Sequence, residues 1–187
     1  MTGLSATIAG SLAIAALSTA GDFIWATWLP EHRAVYGLIH GTLLFLAIGL
    51  FLGSITGRAA AGALGGALVG ALAAGSFYLI APLLGDPAMF VSWVGVWLGL
   101  AALYGRLQAS RIDAGDRHDM HIDFSAVAGR GVIASIASGL AFYLISGIWR
   151  PFGPEGLDYA VHFASWTLAY FPGFAALLLA RPHPRSG

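Results

Sequence analysis

The sequence predicts an all-α integral membrane protein, a six-transmembrane-helix bundle with N- and C-termini in the cytoplasm. Two observations carry this. Hydrophobic residues make up 58% of the 187 and charged ones only 10%, with a mean hydropathy of +0.78, whereas a water-facing domain carries about a quarter charged residues. The apolar residues also fall into runs of about 20, the length that a helical span requires. Those runs are too long and too continuous for the alternating strands of a barrel. The chain is therefore read as one membrane domain over 1–187, a multi-pass protein of the cell inner (plasma) membrane.

The first span is placed at 4–29. Met1 to Leu17 carries no basic segment, and the apolar run continues past Asp22 to Leu29 instead of ending at a cleavage site, so it reads as a retained helix. Pro30-Glu31-His32-Arg33 leads to the second span, 34–55, and Thr56-Gly57-Arg58 to the third, 59–84. Gly85-Asp86-Pro87 precedes the fourth, 88–105. A polar cytoplasmic loop, 106–124, separates it from the fifth, 126–149, and Arg150 to Gly156 connects to the sixth, 158–180. Arg58, Arg106, Arg111, Arg117, Arg130, Arg181 and Arg185 then share one side, with only Arg33 and Arg150 opposite. Positive charge is retained in the cytoplasm, which fixes the orientation.

Composition removes several classes of chemistry. There is no cysteine, and all nine basic residues are arginine. Thiol catalysis, thiolate metal sites, disulfides and lysine Schiff bases are excluded. Balanced charge, nine against nine, points to no nucleic-acid partner. No nucleophile elbow, phosphate loop or acidic cluster is present, and the two glutamates, Glu31 and Glu155, lie in outer loops. The expectation is a protein without enzymatic activity or cofactor. Asp113, Asp116, His118, Asp119, His121 and Asp123 crowd the loop 106–124. Their spacing fits neither a calcium loop nor a zinc helix, so they are read as a solvated linker with no metal.

A repeat is visible. Ser76-Phe77-Tyr78-Leu79-Ile80 matches Ala141-Phe142-Tyr143-Leu144-Ile145, and Ser92-Trp93 recurs as Ser165-Trp166. Spans 3–4 and 5–6 then read as related hairpins, with Asp22-Phe23-Ile24-Trp25 in the corresponding place of the first pair. Small residues recur at spacings of about four along three helices: Gly49, Gly53 and Gly57; Gly62, Gly66 and Gly70; Gly131, Ser135 and Gly139. Such stripes let helix backbones approach closely in lipid, within the monomer or in a homo-oligomer. Spans 1, 3 and 5 are richer in aromatics near their outer ends. Close packing inside and bulk outside make a wedge that splays outward around an apolar cavity; an interfacial aromatic belt is the competing reading.

Ionisable groups within spans are costly, so Asp22, His40 and His162 stand out. Each lies roughly 8–12 Å below the outer helix ends at about 1.5 Å per residue. Asp22 and His40 belong to one hairpin, where the carboxylate can fix the imidazole tautomer. Four readings stay open: a structural interhelical bond, the polar end of a ligand cavity, metal or bis-histidine haem ligation by His40 and His162, and proton-coupled transport.

The final hairpin, Phe142-Tyr143-Leu144, Gly147, Trp149, Asp158-Tyr159, Ser165-Trp166, Phe171 and Gly173, resembles the last two spans of Insig (insulin-induced gene) proteins. In that family an apolar-aromatic run ending in Gly and Tyr precedes Asp, Tyr, Ser-Trp and a Phe-Gly region. Spans 1–4 agree in hydrophobicity and approximate placement. The acidic residue tied to partner binding after the family's fourth span is absent, Tyr104-Gly105-Arg106 standing there. The resemblance implies a membrane-embedded lipid or sterol binder without enzymatic activity. Combined with the wedge, it yields an expected ligand site: Trp25, Tyr78, Trp93, Trp97, Tyr143 and Trp166 against the apolar body, and Asp22, His40 or His162 at the polar head. Expected partners are a diacylglycerol-, phospholipid- or sterol-like lipid and a second copy of the chain. The alternatives are a small-solute channel or transporter and a haem protein.

Overall fold

A computed structural model describes residues 3–29, 31, 33–85, 87–112, 124–145 and 155–179. They form α1 (Gly3–Trp28), α2 (Arg33–Ile55), α3 (Ala59–Leu84), α4 (Pro87–Ile112), α5 (Phe124–Ile145) and α6 (Asp158–Leu178), and no strand occurs among them. All six are long and apolar enough to cross a membrane.

One predicted boundary is corrected. The fourth helix continues beyond 105 to Ile112, so the first part of the expected loop 106–124 is helical. Arg106, Leu107, Gln108 and Ala109 have good helix propensity, and burial of Leu107 holds the extension against the bundle. Asp113, Asp116, His118, Asp119, His121, Asp123 and Trp149 lie outside the described residues.

Each helix packs against its neighbour in the chain, and α1 closes the ring on α6. α4 reaches inward to touch α2 and α6 as well. Hairpin boundaries do not set how tightly neighbours pack. The closest pair is α2 with α3, which joins two of the sequence hairpins, while α1 packs more extensively on α6 than on α2.

The glycine stripes explain the α2–α3 pair. A Cβ on Gly49 or Gly53 would run into the backbone of Gly62 and Gly66, and the reverse holds as well, so the two helices cross backbone to backbone. Gly70 continues the seam against Gly41 and Phe45. Gly57 does not belong to it. It sits in the turn between the helices with φ +76°, and an added Cβ would have nothing within 4 Å, which corrects its expected packing role; a left-handed residue is needed there and glycine takes it without strain. On α5, Gly131 meets Leu98 and Ala101, Gly139 meets Phe90, and Ser135 donates to the Val94 carbonyl at 3.2 Å. The opposite face of α3 presents Leu64, Leu68, Leu72, Leu79 and Leu83 outward, as a lipid-facing surface does.

The two ends of the bundle are filled differently. Toward the α2–α3 turn, Ile48, Leu52, Trp97, Leu100, Phe174 and Leu177 are buried together. Toward the α1–α2 and α3–α4 connections the small residues give way to aromatics, and a cavity opens.

Candidate functional site: a cavity with one carboxylate

The cavity measures about 410 Å³ and is walled by α1, α2, α3, α4 and α6. Asp22 and Trp25 come from the last turns of α1, while Tyr36 and His40 come from the first turns of α2. Antiparallel neighbours joined by a short turn necessarily bring those segments to one level. Ala73, Phe77 and Tyr78 of α3 and Ser92 and Trp93 of α4 complete the wall in the same way, with Trp166 and Tyr170 of α6 behind.

Among the described residues Asp22 is the only acidic side chain on this wall, and no arginine or lysine lines it. Its Oδ2 receives the Trp166 indole N–H at 2.8 Å and faces His162 Nε2 at 2.8 Å. Trp166 Nε1 also lies 3.2 Å from that imidazole nitrogen. The carboxylate oxygen is the stronger acceptor for the indole, so His162 carries its proton on Nε2 and donates to Asp22 as well. Two donors thus converge on one oxygen. The other, Oδ1, has among the described residues only His40 Nε2 nearby, at 4.0 Å, too far for a hydrogen bond.

This reverses the expected pairing of Asp22 with His40. The hydrogen-bonded imidazole is His162, because α1 packs chiefly on α6. His40 instead stacks on Tyr36, one turn earlier, with ring centroids 5.5 Å apart. Tyr36 in turn stacks on Trp25 at 6.4 Å and donates to the Gly21 carbonyl. On the other side Trp166 stacks on Tyr170 at 5.3 Å and on Trp93 at 6.1 Å. The carboxylate therefore stands between two aromatic walls.

The second wall is held by hydrogen bonds that cross three helices. Trp93 Nε1 donates to Ser138 Oγ at 3.0 Å, and Ser138 donates to the Ala169 carbonyl at 2.5 Å. Tyr170 is fully buried, its hydroxyl 3.0 Å from Ser18 of α1. Every polar atom of this set is spent on fixing aromatic faces, which rigidifies the wall.

No family model, curated protein or solved structure matches the chain.

Of the expected ligand residues, Asp22, Trp25, His40, Tyr78, Trp93 and Trp166 are together on the cavity wall. Trp97 is not. It is fully buried one layer deeper, edge-on to Phe174 at 5.9 Å and seated over Gly173, where only a residue without a Cβ leaves room. His162 is also off the wall and fully buried, acting on the cavity through Asp22. The Tyr143 side chain lies outside what is described. The bis-histidine haem reading loses its geometry, since both imidazoles approach oxygens of one carboxylate and His162 does not face the open space.

Tyr36, Tyr170, Ser92 and Ser138 were absent from the sequence expectation. The signal was available for two of them: Tyr36 and His40 are four apart, as are His162, Trp166 and Tyr170. Residues at that spacing share a helix face, so a marked His or Trp also marks its neighbours one turn away.

Proposed function

We propose that the chain is a non-enzymatic membrane protein that binds a lipid or sterol-like molecule in this cavity. The observation that carries the reading is an apolar, aromatic-walled space of about 410 Å³ inside a membrane-spanning bundle, with its ionisable groups gathered around one carboxylate. That volume falls in the range of about 300–1,000 Å³ usual for small-molecule sites, which combine apolar walls with few fixed polar groups. Within a bilayer the available apolar guests are lipids and molecules dissolved among them. An empty apolar space would forfeit packing on every wall.

The resemblance of α5 and α6 to Insig supports the same reading, as does the arginine distribution for a cytoplasmic placement of both termini in the inner (plasma) membrane. A channel or transporter needs a path to the far side, and there the bundle is filled by Ile48, Leu52, Trp97, Leu100 and Phe174. A homo-oligomer would use the leucine face of α3, because the glycine stripes are occupied within the chain.

Native mass spectrometry of the full chain, extracted in several mild detergents, is the direct test. A co-purified lipid adduct is expected, and Ala73→Phe, which fills the cavity from α3, should abolish it. A bare protein in every detergent, or an adduct unaffected by Ala73→Phe, would overturn the proposal.

A further inference from the structure

The cavity is not neutral toward head groups. Asp22 lies at membrane depth with its side chain 21% exposed and Oδ2 already occupied by Trp166 and His162. Oδ1 has no hydrogen bond among the described residues, His40 Nε2 standing beyond hydrogen-bond distance at 4.0 Å, and Asp22 lines the cavity. Among the described residues no arginine or lysine lines the wall to balance or compete with it. An anionic head, phosphate or carboxylate, would meet repulsion from Asp22.

One further observation narrows the choice between a neutral hydroxyl head and a positive one. The carboxylate stands between the Trp25–Tyr36–His40 stack and the Trp93–Trp166–Tyr170 cluster. A cation that reaches a ring face there is attracted through the quadrupole, whereas a neutral hydroxyl gains little, the more so where water is excluded.

We infer that the cavity takes a lipophilic amine: a protonated nitrogen that donates to Asp22 Oδ1 between the aromatic walls, borne on an acyl or ring body that fills the apolar remainder. This rests on the cavity reading above and specifies its head group. An ammonium on Oδ1 makes a charge-assisted bond, roughly twice as strong as a neutral one, and compensates a charge that is costly at this depth. Asp22 and His162 then divide the work, His162 and Trp166 holding one oxygen so that the other faces the ligand.

The test uses three probes with one tail: octadecylamine, octadecanol and octadecanoate, offered in competition to the full chain in detergent and read by native mass spectrometry. The amine should be retained about tenfold over the alcohol, with the carboxylate not retained. In Asp22→Asn the amine-to-alcohol ratio should fall to about one, because the charge is gone while an oxygen remains for His162 and Trp166. Trp25→Leu, which removes an aromatic face and leaves the carboxylate, should lower the same ratio several-fold and serves if Asp22→Asn does not fold. Equal retention of amine and alcohol by the wild-type chain, or an unchanged ratio in Asp22→Asn and Trp25→Leu, would overturn the head-group inference and leave the cavity reading standing. Retention of none of the three would overturn both.

Discussion

Asp22 of α1 and His162 of α6, 140 residues apart in the chain, meet at 2.8 Å, the carboxylate partly exposed to the cavity and the imidazole fully buried behind it. The pair joins the first helix to the last and orients the one acidic side chain that lines the cavity among the described residues. The structural role weighed from the sequence falls to Oδ2, which holds His162 and Trp166; Oδ1 is the oxygen proposed to meet a ligand.

The structural half of that role is separable. Asp22→Ala strands the His162 and Trp166 donors in the bundle, at a cost of about 1–3 kcal/mol, and the thermal unfolding midpoint in detergent should drop. Asp22→Asn offers one oxygen to both donors and should keep most of the midpoint. Equal midpoints for Asp22→Ala and wild type would show that the link does not hold α1 to α6.

The α2–α3 seam makes a sharper stability prediction. Gly49→Leu and Gly66→Leu drive a side chain into opposing backbone that has no rotamer to yield, and each should cost about 1–3 kcal/mol or prevent folding. Gly75 and Gly129 have nothing within 4 Å of an added Cβ. Alanine at either should leave the midpoint in place, so loss there too would trace the sensitivity to helix glycine in general.

Two tryptophans from one expected site should behave oppositely. Trp97 is core, and Trp97→Leu should lower the midpoint while the co-purified adduct survives in the folded fraction. Trp25 lines the cavity, and Trp25→Leu should weaken the adduct with a smaller effect on the midpoint. Adduct loss that follows the midpoint equally in both would place Trp97 in the site after all.

Orientation can be read by labelling, because the chain has no cysteine of its own. A single cysteine at Glu155, before α6, should react with an impermeant maleimide on intact cells. One at Ala60, beside Arg58, should react only after permeabilisation. The opposite pattern would invert the assignment made from the arginines.

The six helices were legible because each is a local property: a run of apolar residues of span length needs no partner to be recognised. α4 ran past its predicted end because burial of Leu107, a contact with the rest of the bundle, extends it beyond the hydropathy boundary. The same limit explains the site. Depth along a helix follows from counting residues, so Asp22, His40 and His162 were placed at one level; Asp22 and His40 share one cavity with Trp25, Tyr78, Trp93 and Trp166.

What counting does not give is rotation about the helix axis or the choice of neighbour. Trp97 lies one turn beyond Trp93 on α4, yet it packs in the core over Gly173. His162 and His40 looked equivalent to Asp22 until the docking of α1 on α6 selected the first. The sequence alone determined that this chain spans a membrane six times and at what depth its ionisable groups lie, since hydrophobic length and rise per residue are properties of single helices. Only the tertiary structure decided which of those groups touch and which face open space, because side-chain pairing depends on how helices distant in sequence turn toward one another.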